Sequence, residues 1–145
     1  MRLDALATVT LGIRTGKENL EPSGGEAYRV VQTRHLQNGS MAPSKELKQV
    51  YLGEGQEPAR FAVKKGDILV AMLGADPKVV LVDGSPRRIL ADKDLATVRP
   101  ASPVNGKKVF DFLASKDGQA LLRSLRSGVT IPHMKLGDLK AVEVP

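Results

Sequence analysis

The sequence has no cysteine, no tryptophan, two histidines and five aromatic residues, Tyr28, Tyr51, Phe61, Phe110 and Phe112. Without cysteine there is no disulfide framework, no thiol nucleophile and no thiolate zinc site. His35 and His133 are too few for a histidine-rich metal centre, and neither sits in an HExxH pattern. Few aromatics leave few stacking platforms, which argues against sequence-tolerant single-strand binding. No apolar run approaches the ~18 residues of a membrane span, and the segment MRLDALATVT lacks a signal-peptide core. A cytoplasmic protein is expected. Phosphate-cradling GxxxxGK[ST], dinucleotide GxGxxG and nucleophile-elbow GxSxG patterns are all missing, as is an Asn/Asp-Pro-Pro-aromatic stretch.

The 145 residues fit one domain spanning 1–145. Net charge is +6 and the isoelectric point is near 9.7, a balance that favours polyanionic partners. Between Gly84 and Lys108 stand Arg87, Arg88, Lys93, Arg99, Lys107 and Lys108 against Asp92 and Asp94. Duplex DNA is read by cationic and amide side chains, which are plentiful here.

Hydrophobic patterning places strands first and helices late. Leu3 to Val9 is a short amphipathic segment expected to begin as helix, and Val9 to Ile13 alternates like a strand. Tyr28 to Arg34 is a strand candidate running into the Asn38-Gly39 turn signal. Ile68 to Leu73 is continuously apolar, as expected of a strand buried on both faces, and Val79 to Val82 is its hairpin partner. Ile89 to Ala91 and Leu95 to Val98 are further strands. Val109 to Leu113 and Ala120 to Leu125 are helical, with Ser115 as a cap between them. Leu136 to Leu139 is a short helical turn, and Val142 to Val144 a closing strand. The expected class is α+β, with a single mixed or antiparallel sheet and late-sequence helices.

Five segments in order carry a family likeness. They are Leu11 to Lys17, Tyr28 to Gly39, Phe61 to Val70 with its Gly66-Asp67-Ile68-Leu69 core, Phe112 to Leu122, and Gly128 to Leu139. Together they resemble the target recognition domain of type I restriction–modification specificity subunits. The resemblance covers almost the whole chain and implies a DNA-reading domain with no chemistry of its own. It implies double-stranded DNA as a partner, with a DNA methyltransferase (modification) subunit and a restriction subunit beyond it. In the family two such domains alternate with long helices; one copy here leaves room for a homodimer. No cofactor is implied.

Residue chemistry names the contacts. Gln32, Thr33, Arg34, His35, Gln37 and Asn38 sit at a strand end and turn that can be presented to base edges in a groove. Arg14 and Lys17 lie in a glycine-containing loop suited to phosphate. Lys78 follows a tight turn, Arg87, Arg88 and Lys93 form the densest basic stretch, and His133 follows Pro132. Two other readings use different residues. A small metal-dependent nuclease would draw on Asp67, Asp83 or Asp92, whereas an interaction module of a phage-defence complex needs no DNA contact.

Overall fold

A computed structural model describes residues 1–37 and 39–145. Asn38 therefore lies outside the described residues, and with it half of the expected Asn-Gly turn. The chain is α+β, as the patterning indicates, but its strands divide into two sheets rather than one. Strands β1 (Ala7–Leu11), β7 (Leu95–Pro100), β4 (Ile68–Ala71) and β5 (Val79–Leu81) form an antiparallel sheet in that order. Strands β3 (Lys48–Leu52), β2 (Glu26–Val31) and β6 (Ile89–Ala91) form a mixed sheet, with β2 antiparallel to β3 and parallel to β6.

The division follows from alternation. In β4, Ile68 and Val70 face one core and Leu69 and Ala71 face another. The first core is roofed by helices: α1 (Leu3–Leu6), α3 (Pro103–Ala114), α4 (Lys116–Ser124) and α5 (Leu136–Lys140) contribute Leu3, Val109, Leu113, Leu122 and Leu139. The second core lies between the sheets, where Leu69, Val80 and Leu95 meet Val31, Ile89 and Ala91. A third cluster, with Val30, Val50 and Leu90, covers the far face of the three-stranded sheet; Phe61 of the short helix α2 (Pro58–Phe61) packs there. A strand with apolar residues at every position needs a cover on both sides, and each large aliphatic buried this way contributes roughly 1.5–3 kcal/mol.

The sheets join where the chain turns from β6 into β7 through Asp92, Lys93 and Asp94. Gly12 packs against this turn, and a Cβ there would meet the Asp92 carbonyl oxygen at 2.1 Å, so no other residue fits without moving the backbone. Ser115 ends α3 and starts α4 at once: its hydroxyl donates to the Phe112 carbonyl and accepts from Gly118 N–H at 3.1 Å. Val142 to Val144 does not extend a sheet. It pairs with the first residues, Leu3 N–H on Val142 O and Val144 N–H on Met1 O, so both ends of this chain lie side by side.

One ion pair holds the turn before β4. The Asp67 carboxylate is 1% exposed. It accepts from Lys64 N–H and from Arg99 Nε and Nη2, each at 2.8 Å. The bond to Asp67 raises the already high pKa of Arg99. Arg99 also donates to the Ala62 carbonyl, tying β7 to the segment after α2. Asp67→Ala should cost about 2–3 kcal/mol in urea unfolding, below the full value of a buried pair because Arg99 is partly exposed. An unchanged midpoint would show that the pair contributes nothing.

Candidate nucleic-acid interface

Strand directions decide which loops meet. β2 and β6 run parallel and end together, so Gln32–Thr33–Arg34 and the 92–94 turn emerge at the same end. β4 ends and β7 begins there too, since Ala71 pairs with Leu95 and Met72 N–H bonds the Asp94 carbonyl. β3 begins there, with Lys48 opposite Val30. The 127–133 hairpin joins them through the Leu73–His133 bridge and the Gly74 N–H bond to Pro132 O at 2.7 Å. Five separate segments thus crowd one end of both sheets.

Two adjoining clefts mark that end, and Arg34 lines both. One, of about 630 Å³, is bounded by Arg34, Gln37, Asp76, Lys78, Phe110 and Gln119. The other, of about 540 Å³, is bounded by Gln32, Thr33, Arg34, Lys48, Leu73, Asp92 and Asp94. Arg34 is exposed, while Gln32 and Lys78 are half-buried. Neither Arg34 nor Lys78 has an ion-pair partner among the described residues, so both cations are available to an anion.

Each cation rides on a braced turn. Gln119 Nε2 donates to Pro77 O at 3.0 Å, anchoring the turn before Lys78 to α4. Arg126 Nη2 donates to Ala71 O at 2.5 Å, and its Nε and Nη1 are buried without partners. Burial lowers the Arg126 pKa from its ordinary value. Residues 33–35 form one 3₁₀ turn, and His35 closes it by accepting Gln32 N–H on Nδ1 at 2.9 Å. His35 is 6% exposed. It was grouped by sequence with the groove-facing side chains; the structure makes it the support beneath Arg34. A polar residue in a turn can face either way; here the next residue, Leu36, is anchored in the core between the sheets, and Ala42 N–H bonds the His35 carbonyl at 2.8 Å.

The other candidates scatter. Lys93 is exposed at the same end but pairs with its neighbour Asp94 at 3.2 Å. His133 is exposed on the 127–133 hairpin. Arg14 is exposed just after Ile13, which bridges to Asp92. Arg87 and Arg88 precede β6 and so stand toward the opposite end of the three-stranded sheet, with Arg88 level with Tyr28 and about 13 Å along β2 from Gln32. Arg88 is engaged within the chain: its Nε donates to Ala27 O at 2.8 Å, and its guanidinium lies 4.2 Å from the Tyr28 ring centre. Lys17 opens a 3₁₀ turn packed on the end of β3, also away from Arg34, because Asn19 of that turn donates to Tyr51 O.

Lys48 and Gln119 line the same clefts, and neither is among the residues the sequence singles out as contacts. Lys48 was legible only through the β2–β3 register, which the sequence does not state. Among the acids of the nuclease alternative, Asp67 is held by Arg99 and Lys64, and Asp92 is buried with its pKa raised, chiefly by that burial. No three acidic or histidine side chains converge among the described residues.

The pKa of His35 is lowered from its ordinary 6.5, first by burial and then by the Arg34 charge. The unfolded chain therefore takes up a proton at His35 more readily than the folded one. This stability is full above pH ~6.5 and falls as pH drops through it. Between about pH 7.5 and 5.5 the urea midpoint should fall, and His35→Asn, which keeps an acceptor for Gln32 N–H, should flatten that fall. An identical pH dependence in the variant would remove His35 as its source.

In comparison with solved structures, the chain is similar to the S subunit of a type I restriction-modification system from M. genitalium. The TM-score is 0.60 and identity 23%, covering 99% of this chain and 33% of that one. It is likewise similar to the HsdS subunit from Thermoanaerobacter tengcongensis, with a TM-score of 0.62 and 17% identity, covering 97% of this chain and 35% of that one. No protein-family model and no curated protein sequence matches. No helix among the described residues is long and apolar enough to cross a membrane. The chain spans about a third of the length of these two subunits, and over that third it has their α+β fold.

Proposed function

We propose that the chain, as a single domain, reads the sequence of double-stranded DNA and serves as the target recognition module of a type I restriction–modification system, without catalysing a reaction itself. The observation that carries this reading is the convergence of Gln32, Arg34, Lys48 and Lys78 at one end of both sheets, on a fold shared with type I specificity subunits. The chemistry suits the task. An arginine on guanine and a glutamine on adenine are the pairings that distinguish base pairs in the major groove. Lysines around them neutralise phosphates and give affinity without sequence preference.

Arg34 is the base-reading cation on this account, because it alone lines both clefts and its turn is locked by His35. Gln32 reads beside it. Lys48 and Lys78 flank them, with Lys93, Arg14 and His133 at the margins. Lys17, Arg87 and Arg88 stand too far away to share the same few base pairs. Within a restriction–modification assembly the module would direct a methyltransferase subunit and a restriction subunit to the chosen site in the cytoplasm. Two copies, as a homodimer, would read a two-part site.

Selection from a random duplex library at low salt should enrich a defined motif for the wild type. Arg34→Ala should bind that motif about 10- to 100-fold more weakly, in line with roughly 1–3 kcal/mol per well-placed base contact. With about five phosphates contacted, log K should fall against log salt with a slope of roughly −4 to −5. No enriched motif for the wild type would refute the proposal.

A further inference from the structure

Most exposed large apolar side chains stand singly: Met1, Leu11, Leu20 and Val104 are scattered over the surface. Val129 and Ile131 are different. They lie two residues apart on one hairpin tip, at 103% and 56% exposure. The 127–133 hairpin that carries them is held from both sides. Ser127 and His133 exchange backbone hydrogen bonds, each at 2.9 Å. Gly74 N–H bonds Pro132 O, and Met134 N–H bonds Met72 O at 2.9 Å. Gly128 takes φ +119°, where a Cβ would come within 2.9 Å of the Ile131 carbonyl, so the turn is specific to glycine. An apolar tip held this firmly gains nothing for the core, since neither side chain packs there. It projects from the end that carries Arg34 and Lys78, to which the Leu73–His133 bridge and the Gly74–Pro132 hydrogen bond attach it.

We propose that Val129 and Ile131 are specificity-determining side chains that contact the 5-methyl group of thymine in the bound duplex. The inference rests on the DNA-reading function above and extends it to an apolar contact. In the major groove the thymine methyl is the one apolar feature of a base edge, and it is recognised by an aliphatic side chain placed against it. The cations cannot supply this discrimination, because guanidinium and ammonium groups seek acceptors. A braced aliphatic tip beside them can.

The experiment takes the duplex enriched by the wild type and replaces each thymine singly with deoxyuridine, which removes the methyl group alone. Wild-type binding should fall about threefold to tenfold at one or two positions, the scale of one buried methyl group. The double variant Val129→Ser, Ile131→Ser should bind the unmodified duplex about as weakly as the wild type binds the deoxyuridine duplex. It should be indifferent to deoxyuridine at those positions. Its melting temperature and salt slope should match the wild type, because both side chains are exposed and uncharged. A wild type that selects a motif yet tolerates every thymine replacement overturns this inference alone, as does a variant that keeps the wild-type losses. A wild type that enriches no duplex overturns the DNA-reading function and this inference with it.

Discussion

Strand β4 has no polar position, and that single constraint organises the molecule. Ile68, Leu69, Val70 and Ala71 are all fully buried, so the sheet containing them needs a layer on each face. Helices α1, α3, α4 and α5 supply one layer and the three-stranded sheet supplies the other. Once the two sheets are pressed together across Leu69, Val80, Leu95, Val31 and Ile89, their strand ends come into register. The loops at one end then have nowhere to go but beside each other. The site is a product of that stacking more than of any one motif.

Rigidity at the site comes from side chains that tie its loops to the rest of the fold. His35 locks the turn under Arg34, Gln119 pins the turn before Lys78, and Arg126 reaches from the end of α4 to the Ala71 carbonyl. Each ties a cation-bearing or tip-bearing loop to a buried element. A surface that discriminates between similar base pairs needs its donors held to within a fraction of an ångström, and loops alone do not provide that. Asp76, Asp92 and Asp94 lie among the cations of the two clefts, which under the proposed DNA-reading function would moderate non-specific attraction.

Much of this was legible in the residues. The unbroken apolar run of β4, the Ser115 cap and the late helices all follow from local chemistry, and the structure contains each of them. The motif order pointed to the fold that the solved structures share. What could not be read was long-range pairing. The parallel β2–β6 contact spans some sixty residues, and it alone separates Arg87 and Arg88 from Arg34, though the basic stretch 84–108 looks continuous on paper. The same pairing splits one expected sheet into two. The inward turn of His35 and the placing of Lys48 beside Arg34 likewise depend on packing and strand register, which residue type alone does not state. Arg88 stacks on Tyr28 for the same reason, a contact no spacing rule foretells.

Lysine protection tests the central claim most directly. Acetylate the chain lightly, with and without its selected duplex, and quantify each lysine by mass spectrometry. If one end of the two sheets is the reading surface, Lys48 and Lys78 become protected. Lys64, Lys65 and Lys107, which line a separate cleft at the opposite end of the four-stranded sheet, keep their reactivity. Protection of Lys64, Lys65 and Lys107 with Lys48 and Lys78 unchanged would contradict the account.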